Sequence, residues 1–174
     1  MTAIRDRNDF VRRTIEILEL EFTPFEERDR EVTFLLNCLL GTIVSVSEYE
    51  NKAKKKLLTS RIDNDFLASI PDKIGFLRKV KNGDDLISAD IDSINFKVGH
   101  KTDLKEKTKI WLLKKIRNGI AHLNIEWEND NGKCKAIRLW NEPRSEVKDF
   151  EVVFTIEELK EFAITLSKKY LKAI

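Results

Sequence analysis

At 174 residues the chain is long enough for one domain with a substantial core and short for two, so residues 1–174 read as a single domain. Hydrophobic residues make up 41% and charged residues 36%, which excludes an intrinsically disordered chain, yet 32 Lys+Arg against 30 Asp+Glu leave a net charge of only +2. Six glycines, three prolines and two cysteines exclude a turn-rich all-β fold, a disulfide framework and a Cys-rich zinc site.

Taken in chain order, residues 9–22 predict a helix, with Val11, Ile15, Leu18 and Phe22 on one stripe and Pro24 ending it. Residues 29–46 predict a second helix, apolar nearly all round and therefore buried on several sides. Cys38 lies in this run and reads as a buried thiol. Short amphipathic pieces follow near 51–58 and 72–80, the second opening at Pro71. Asn82-Gly83-Asp84-Asp85 reads as a turn, and 82–100 as a loop with a short helix. Residues 103–122 predict the third strong helix. The period then changes: Leu123, Ile125 and Trp127 alternate with polar residues, 129–132 is a turn, and 133–140 and 150–154 are further strands. Thr155 and Glu158 form a capping box that opens the last helix. The expected fold is mainly α, a helical bundle with a small antiparallel hairpin or sheet inserted before the C-terminal helix.

No stretch reaches the ~18 apolar residues of a membrane span. The opening MTAIRDRNDF lacks the apolar core of a signal peptide, so the cytoplasm is the expected location and no membrane contact is expected.

Charge is uneven along the chain. Residues 1–50 carry 6 basic and 11 acidic side chains, whereas 51–81 carry 9 and 3, and 97–117 carry 8 and 2. Two basic blocks in an otherwise acidic chain suit a polyanion; the plainer reading is that Lys54, Lys55 and Lys56 only solvate a helix face. Phosphate-loop, GxGxxG, HExxH and CxxC motifs are missing, and two histidines cannot build a multi-histidine cage, so no metal or cofactor is expected. Asp90 and Asp92 read as solvated charge, and Glu126 and Glu128 as an exposed strand face.

The chemistry concentrates in Lys114-Lys115-Ile-Arg117-Asn118-Gly-Ile-Ala-His122, which closes the third helix. At about 100° per residue, Asn118 and His122 share a face, whereas Arg117 is rotated by about 140° from His122. It needs its long side chain, a distorted helix end near Gly119, or a second subunit to reach the same point. The trio suits RNA cleavage: an imidazole takes a 2′-hydroxyl proton, a guanidinium stabilises phosphorane oxygens, and an amide orients the phosphate. The plainer reading makes Arg117 a cation at a helix C-terminus and His122 a capped histidine.

Arg117-Asn118-Gly119-Ile120-Ala121-His122 resembles the Arg-x4–6-His signature of the HEPN superfamily. The segment from Glu31 to Gly41 resembles a HEPN-family nuclease subgroup. The resemblance implies a HEPN-like helical bundle acting as a metal-independent endoribonuclease on single-stranded RNA. It also implies a homodimer that assembles its site from two motifs, and a toxin–antitoxin or antiphage setting with an antitoxin or regulatory protein as partner. Carried over, Arg117 and His122 are catalytic and Asn118 is a polar auxiliary. Glu31 and Asn37, on the second helix, are candidate auxiliaries, and Lys114, Lys115, Lys54, Lys55 and Lys56 are candidate RNA contacts. Two departures stand out: Asn124 occupies a position where many HEPN toxins carry a Tyr, and the hairpin at 123–140 lies outside the minimal bundle. The rival readings are a HEPN module that binds RNA, a nucleotide or a partner without cutting, and a structural dimerisation domain.

Overall fold

A computed structural model describes residues 6–26, 30–47, 52–77, 86–87, 92–93, 96–143 and 148–173. The first helix, α1 (Arg7–Leu20), opens where the Asp6 carboxylate accepts from the Asp9 amide at 2.8 Å, and it buries Val11, Thr14, Ile15 and Leu18. Pro24 sits in the first turn of a short α2 (Thr23–Glu26), where its missing N–H costs nothing. The apolar helix α3 (Glu31–Ser47) buries Leu35, Leu36, Leu39, Ile43 and Val46. The helices α4 (Lys52–Thr59) and α5 (Asn64–Ala68) follow, the latter capped by Asp63.

Three strands come next and correct the sequence reading. Within the piece at 72–80 expected to be amphipathic, Ile74–Leu77 form β1; within 82–100, Asp92–Ser93 form β2 and Phe96–Gly99 form β3. The expected turn at Asn82–Asp85 lies outside the described residues. Ile74, Gly75 and Phe76 are all buried, so β1 is covered on both faces and shows no alternation. A short apolar run of that kind cannot be told from a helical piece by its period.

The helix expected at 103–122 is also divided. A 3₁₀ turn over Lys101–Glu106 is followed by extended Lys107, and Thr108 then caps α6 (Lys109–Ala121) by accepting from the Trp111 amide at 3.3 Å. The hairpin of β4 (Ile125–Asp130) and β5 (Lys133–Asn141), the strand β6 (Phe150–Thr155) and the helix α7 (Ile156–Lys172) match expectation, including the Thr155–Glu158 capping box. The insert is nevertheless larger than a hairpin. Six strands form one sheet in the order β2-β3-β1-β6-β5-β4, each neighbour antiparallel, with β4 and β2 at its edges. The fold is mainly α with an antiparallel sheet.

The core joins both layers. Leu112, Leu113 and Ile116 of α6 cluster with Leu35, Leu39 and Ile43 of α3, with Leu159, Phe162 and Tyr170 of α7, and with Ile137, Leu139, Val152 and Phe154 of the sheet. Each such side chain contributes roughly 1.5–3 kcal/mol through its burial. The other face of the sheet holds a charge: fully buried Glu151 accepts from Arg138 at 2.7 Å and from the Leu86 amide at 3.0 Å. Glu126 and Glu128 lie 3.7 and 3.9 Å from the same guanidinium, so three carboxylates share one cation on that face.

Candidate active site at the end of α6

Close approach of helix to sheet begins at Gly119. A Cβ there would lie 2.6 Å from Leu139 Cδ2 and 2.7 Å from the Trp140 carbonyl oxygen, so only glycine lets α6 sit this low on β5. Three residues later the helix stops in a Schellman arrangement. The Leu123 amide donates to Ile120 O at 3.1 Å and the Asn124 amide to Gly119 O at 2.9 Å. That wrap places Leu123 at φ 55°, in the left-handed region usually given to glycine, with its side chain 80% exposed. His122 is the residue leaving the helix, and it too is exposed.

Lys115, Asn118 and His122 recur at i, i+3 and i+7, one flank of α6. That flank borders an open cleft of about 500 Å³ lined by Asn118, His122, Asn124, Asn141, Glu142 and Pro143. The imidazole of His122 makes no hydrogen bond among the described residues, which leaves both ring nitrogens to a ligand. Arg117 points from the other flank, is exposed, and does not line the cleft. Its length closes part of the gap: Nη1 donates to Asn118 Oδ1 at 3.2 Å. The amide of Asn118 therefore joins the guanidinium to the cleft.

The floor of the cleft is braced. Asn141 is 2% exposed and donates through Nδ2 to Asp149 Oδ1 at 2.6 Å. The other oxygen of Asp149 takes the Lys115 ammonium in an ion pair, and that ammonium also lies 5.8 Å from the centre of the Trp111 ring. One carboxylate thus ties Lys115 of α6 to Asn141, the cleft residue at the end of β5.

The other expected site residues are scattered. Lys114, Lys55 and Lys56 are exposed and free to meet an anion in solution. Lys54 is not a surface contact: it is 3% exposed, donates to Asn8 Oδ1 and lies 4.2 Å from the centre of the Tyr170 ring. The run of lysines on α4 thus carries one structural member, turned inward by the helical period. Lys115 is held by Asp149 and acts as a brace. Glu31 stands beside Cys134, whose thiol is pushed up by burial and by the Glu31 charge. Cys134 and Asn141 are seven residues apart on β5, about 23 Å at strand rise, so Glu31 is not brought to the cleft. Asn37 is exposed on α3, and its side chain has no hydrogen bond to the motif among the described residues. Asp90 lies outside the described residues and Asp92 opens β2.

Missed in the sequence are the cleft residues Asn141 and Glu142 and, behind Asn141, Asp149. They follow the motif by 19 to 27 positions and carry no local signature; the only available signal was the end of a strand expected to fold back beside the helix. Among the described residues, no three His, Cys, Asp or Glu side chains gather as metal ligands, and no helix is long and apolar enough to cross a membrane.

Searches of curated proteins and of solved structures each return no match. A family model described as HEPN pEK499 p136 matches residues 1–174, the whole of the sequence that builds this helix end and its cleft, and the chain belongs to that HEPN family.

Proposed function

We propose that the protein is a metal-independent endoribonuclease that cuts single-stranded RNA, leaving a 2′,3′-cyclic phosphate and a 5′-hydroxyl. The observation that carries the reading is the placement of His122 on an open cleft, one turn from Asn118, with the Arg117 guanidinium hydrogen-bonded to that same amide. In the reaction, His122 takes the proton of a ribose 2′-hydroxyl. The 2′-oxygen forms a bond to phosphorus, the bond to the 5′-oxygen breaks, and a protonated imidazole returns a proton to that leaving oxygen. Arg117 stabilises the charge on the phosphorane, and the Asn118 N–H groups orient the phosphate.

Arg117 and His122 leave α6 on different flanks, which favours a homodimer whose two-fold axis sets the Arg117 of one copy near the His122 of the other. Exposed Lys114, Lys55 and Lys56 are the RNA contacts of this reading. A toxin or antiphage effector, held by an antitoxin or regulator in the cytoplasm, is the biological role it fits.

The purified protein should cut single-stranded RNA in excess EDTA, leave cyclic phosphate ends, and scatter light at about twice the chain mass. Cutting that survives His122→Ala would overturn the mechanism. The absence of Arg117 from the cleft lining favours a second reading, a HEPN module that binds RNA or a nucleotide without cutting. Tight RNA binding with no cyclic phosphate product would select it.

A further inference from the structure

A lysine ammonium has three hydrogens to donate and accepts none. Lys107, the extended residue just before α6, is half-buried, and its ammonium lies 5.4 Å from the centre of the Phe76 ring and 5.1 Å from that of Trp111. Two rings hold the cation through their faces and fix where it sits. Among the described residues this ammonium has no ion pair and no hydrogen bond. Its neighbours along the chain differ: Lys109 is paired with Asp63 and Lys115 with Asp149. Lys107 is therefore a positioned cation whose hydrogens the fold has not used.

Its place relative to the cleft follows from the helix and from the sheet separately. On α6, Trp111, Lys115, Asn118 and His122 recur at i, i+4, i+7 and i+11, one stripe that runs about 16 Å from the ring under Lys107 to the imidazole. On the sheet, Asn141 stands opposite Phe150, Phe150 opposite Phe76, and Phe76 opposite Gly99, a row that crosses four strands in about 14 Å. The stripe and the row lie side by side. Trp111 meets Phe76 and Phe150 edge to face, with centroids 5.4 and 6.0 Å apart, and Lys115 meets the Asp149 that holds Asn141. Asn141 and His122 mark the cleft end of this strip and Lys107 the other. From Lys107 to Arg117 the sequence has five basic residues and no acidic one. We infer that single-stranded RNA seated at His122 continues along this flank of α6, and that the Lys107 ammonium takes one of its phosphates several nucleotides from the cut bond. This rests on the reading of the cleft as an RNA site. A single ammonium holds a free phosphate weakly, whereas a phosphate on a strand already bound in the cleft arrives at a high effective concentration.

The test compares two 2′-O-methyl oligonucleotides, a dinucleotide that fills the cleft alone and an octanucleotide long enough to reach Lys107; neither has the 2′-hydroxyl needed for cutting. Lys107→Met keeps the apolar stem against both rings and removes the charge. It should weaken the octanucleotide about tenfold at low salt and lower its salt slope by about 0.7, the share of one phosphate on a single strand. Dinucleotide binding should be unchanged. Lys107→Arg, which keeps the charge and can lie on the same rings, should restore most of the octanucleotide affinity. If Lys107→Met does not fold, Lys107→Gln takes its place. Unchanged octanucleotide binding, an equal loss for both lengths, a slope that does not move, an arginine that fails to rescue, or no binding of the octanucleotide by the wild-type protein would each overturn the inference. Cutting is scored separately on unmodified RNA. A protein that binds through Lys107 and never cuts loses the nuclease reading and keeps the track; one that cuts, with Lys107→Met binding as wild type, loses the track alone.

Discussion

At the N-terminal end of α6, Lys109 is 2% exposed and all three of its ammonium hydrogens are used, by Asp63 Oδ2 at 2.8 Å, Ser60 Oγ at 3.0 Å and Arg61 O at 2.7 Å. Thirteen residues later His122 stands exposed with an unpaired ring among the described residues, followed by a leucine in a glycine conformation. The same helix has one end whose polar groups are consumed by the fold and one end whose polar groups are left over. Groups satisfied internally hold structure, and unspent groups beside a cleft are available to a ligand. The comparison separates residues that sequence alone treats alike: Lys109 and Lys114 belong to one basic block, and only the second faces water.

Substitutions can break this contrast. The largest effect is expected at His122→Ala, which should lower RNA cleavage by about 10²–10⁴-fold while the melting temperature stays within about 1 °C. Equal losses of activity and stability would place His122 in the scaffold. Gly119→Ala should cost about 2–3 kcal/mol in urea unfolding, because its new methyl group meets both the Leu139 side chain and the rigid Trp140 carbonyl. A stability equal to wild type would mean α6 is free to lift off β5. Lys109→Met should cost about 2 kcal/mol, at the low end for a buried ion because Asp63 keeps half its side chain in water. RNA cleavage at saturating substrate should survive that change.

Acid sharpens the same end. Burial alone would raise the Asp63 pKa, but hydrogen bonds from Lys109 and the Phe66 amide, with the charges of Lys109 and Lys169, bring it down to about 2. A carboxyl lowered by folding contributes stability above its unfolded value, near 4, and that contribution is lost as pH falls from about 4 to 2. Asp63→Asn should therefore flatten the stability profile across that window; an unchanged acid limb would show that Lys109 does not stabilise the ionised form. The smallest effect belongs to the surface lysines. Lys55→Gln with Lys56→Gln should reduce the salt dependence of RNA binding by roughly one to two units of slope, with no change in melting. An unchanged slope would remove α4 from the RNA surface.

Much of the helical layer was legible because its periods are local. The stripe Val11, Ile15, Leu18 and the Thr155–Glu158 box each lie within a few residues, and both stand as expected. The sheet was legible only where a strand met its partner through a short turn, as β4 meets β5. β1 pairs with β6, Ile74 against Val152, so the evidence for it lay far along the chain. The motif at Arg117–His122 was found from residue types at the end of a helix. Its bracing was not, because Asn141 and Asp149 acquire their meaning only when β5 turns back under α6. Lys54 was misplaced for the converse reason: a run of like charges conceals the one member whose direction is inward.

The order in which the cleft is assembled follows from the order of the chain. During synthesis Arg117 and His122 leave the ribosome before Asn141, before Asp149, and before the α7 residues that complete the core. The first and last helices are joined across 149 positions by the Lys168–Glu19 pair at 2.6 Å. Pairings that span so much of a chain are slow, since the entropy of closing the loop is lost before any contact repays it. A nascent chain therefore carries the motif on a helix that lacks its β5, β6 and α7 contacts until α7 has been made. Cutting activity should appear abruptly in a timed translation only after α7 has emerged, in step with protection of α1 from protease, because both wait for α7.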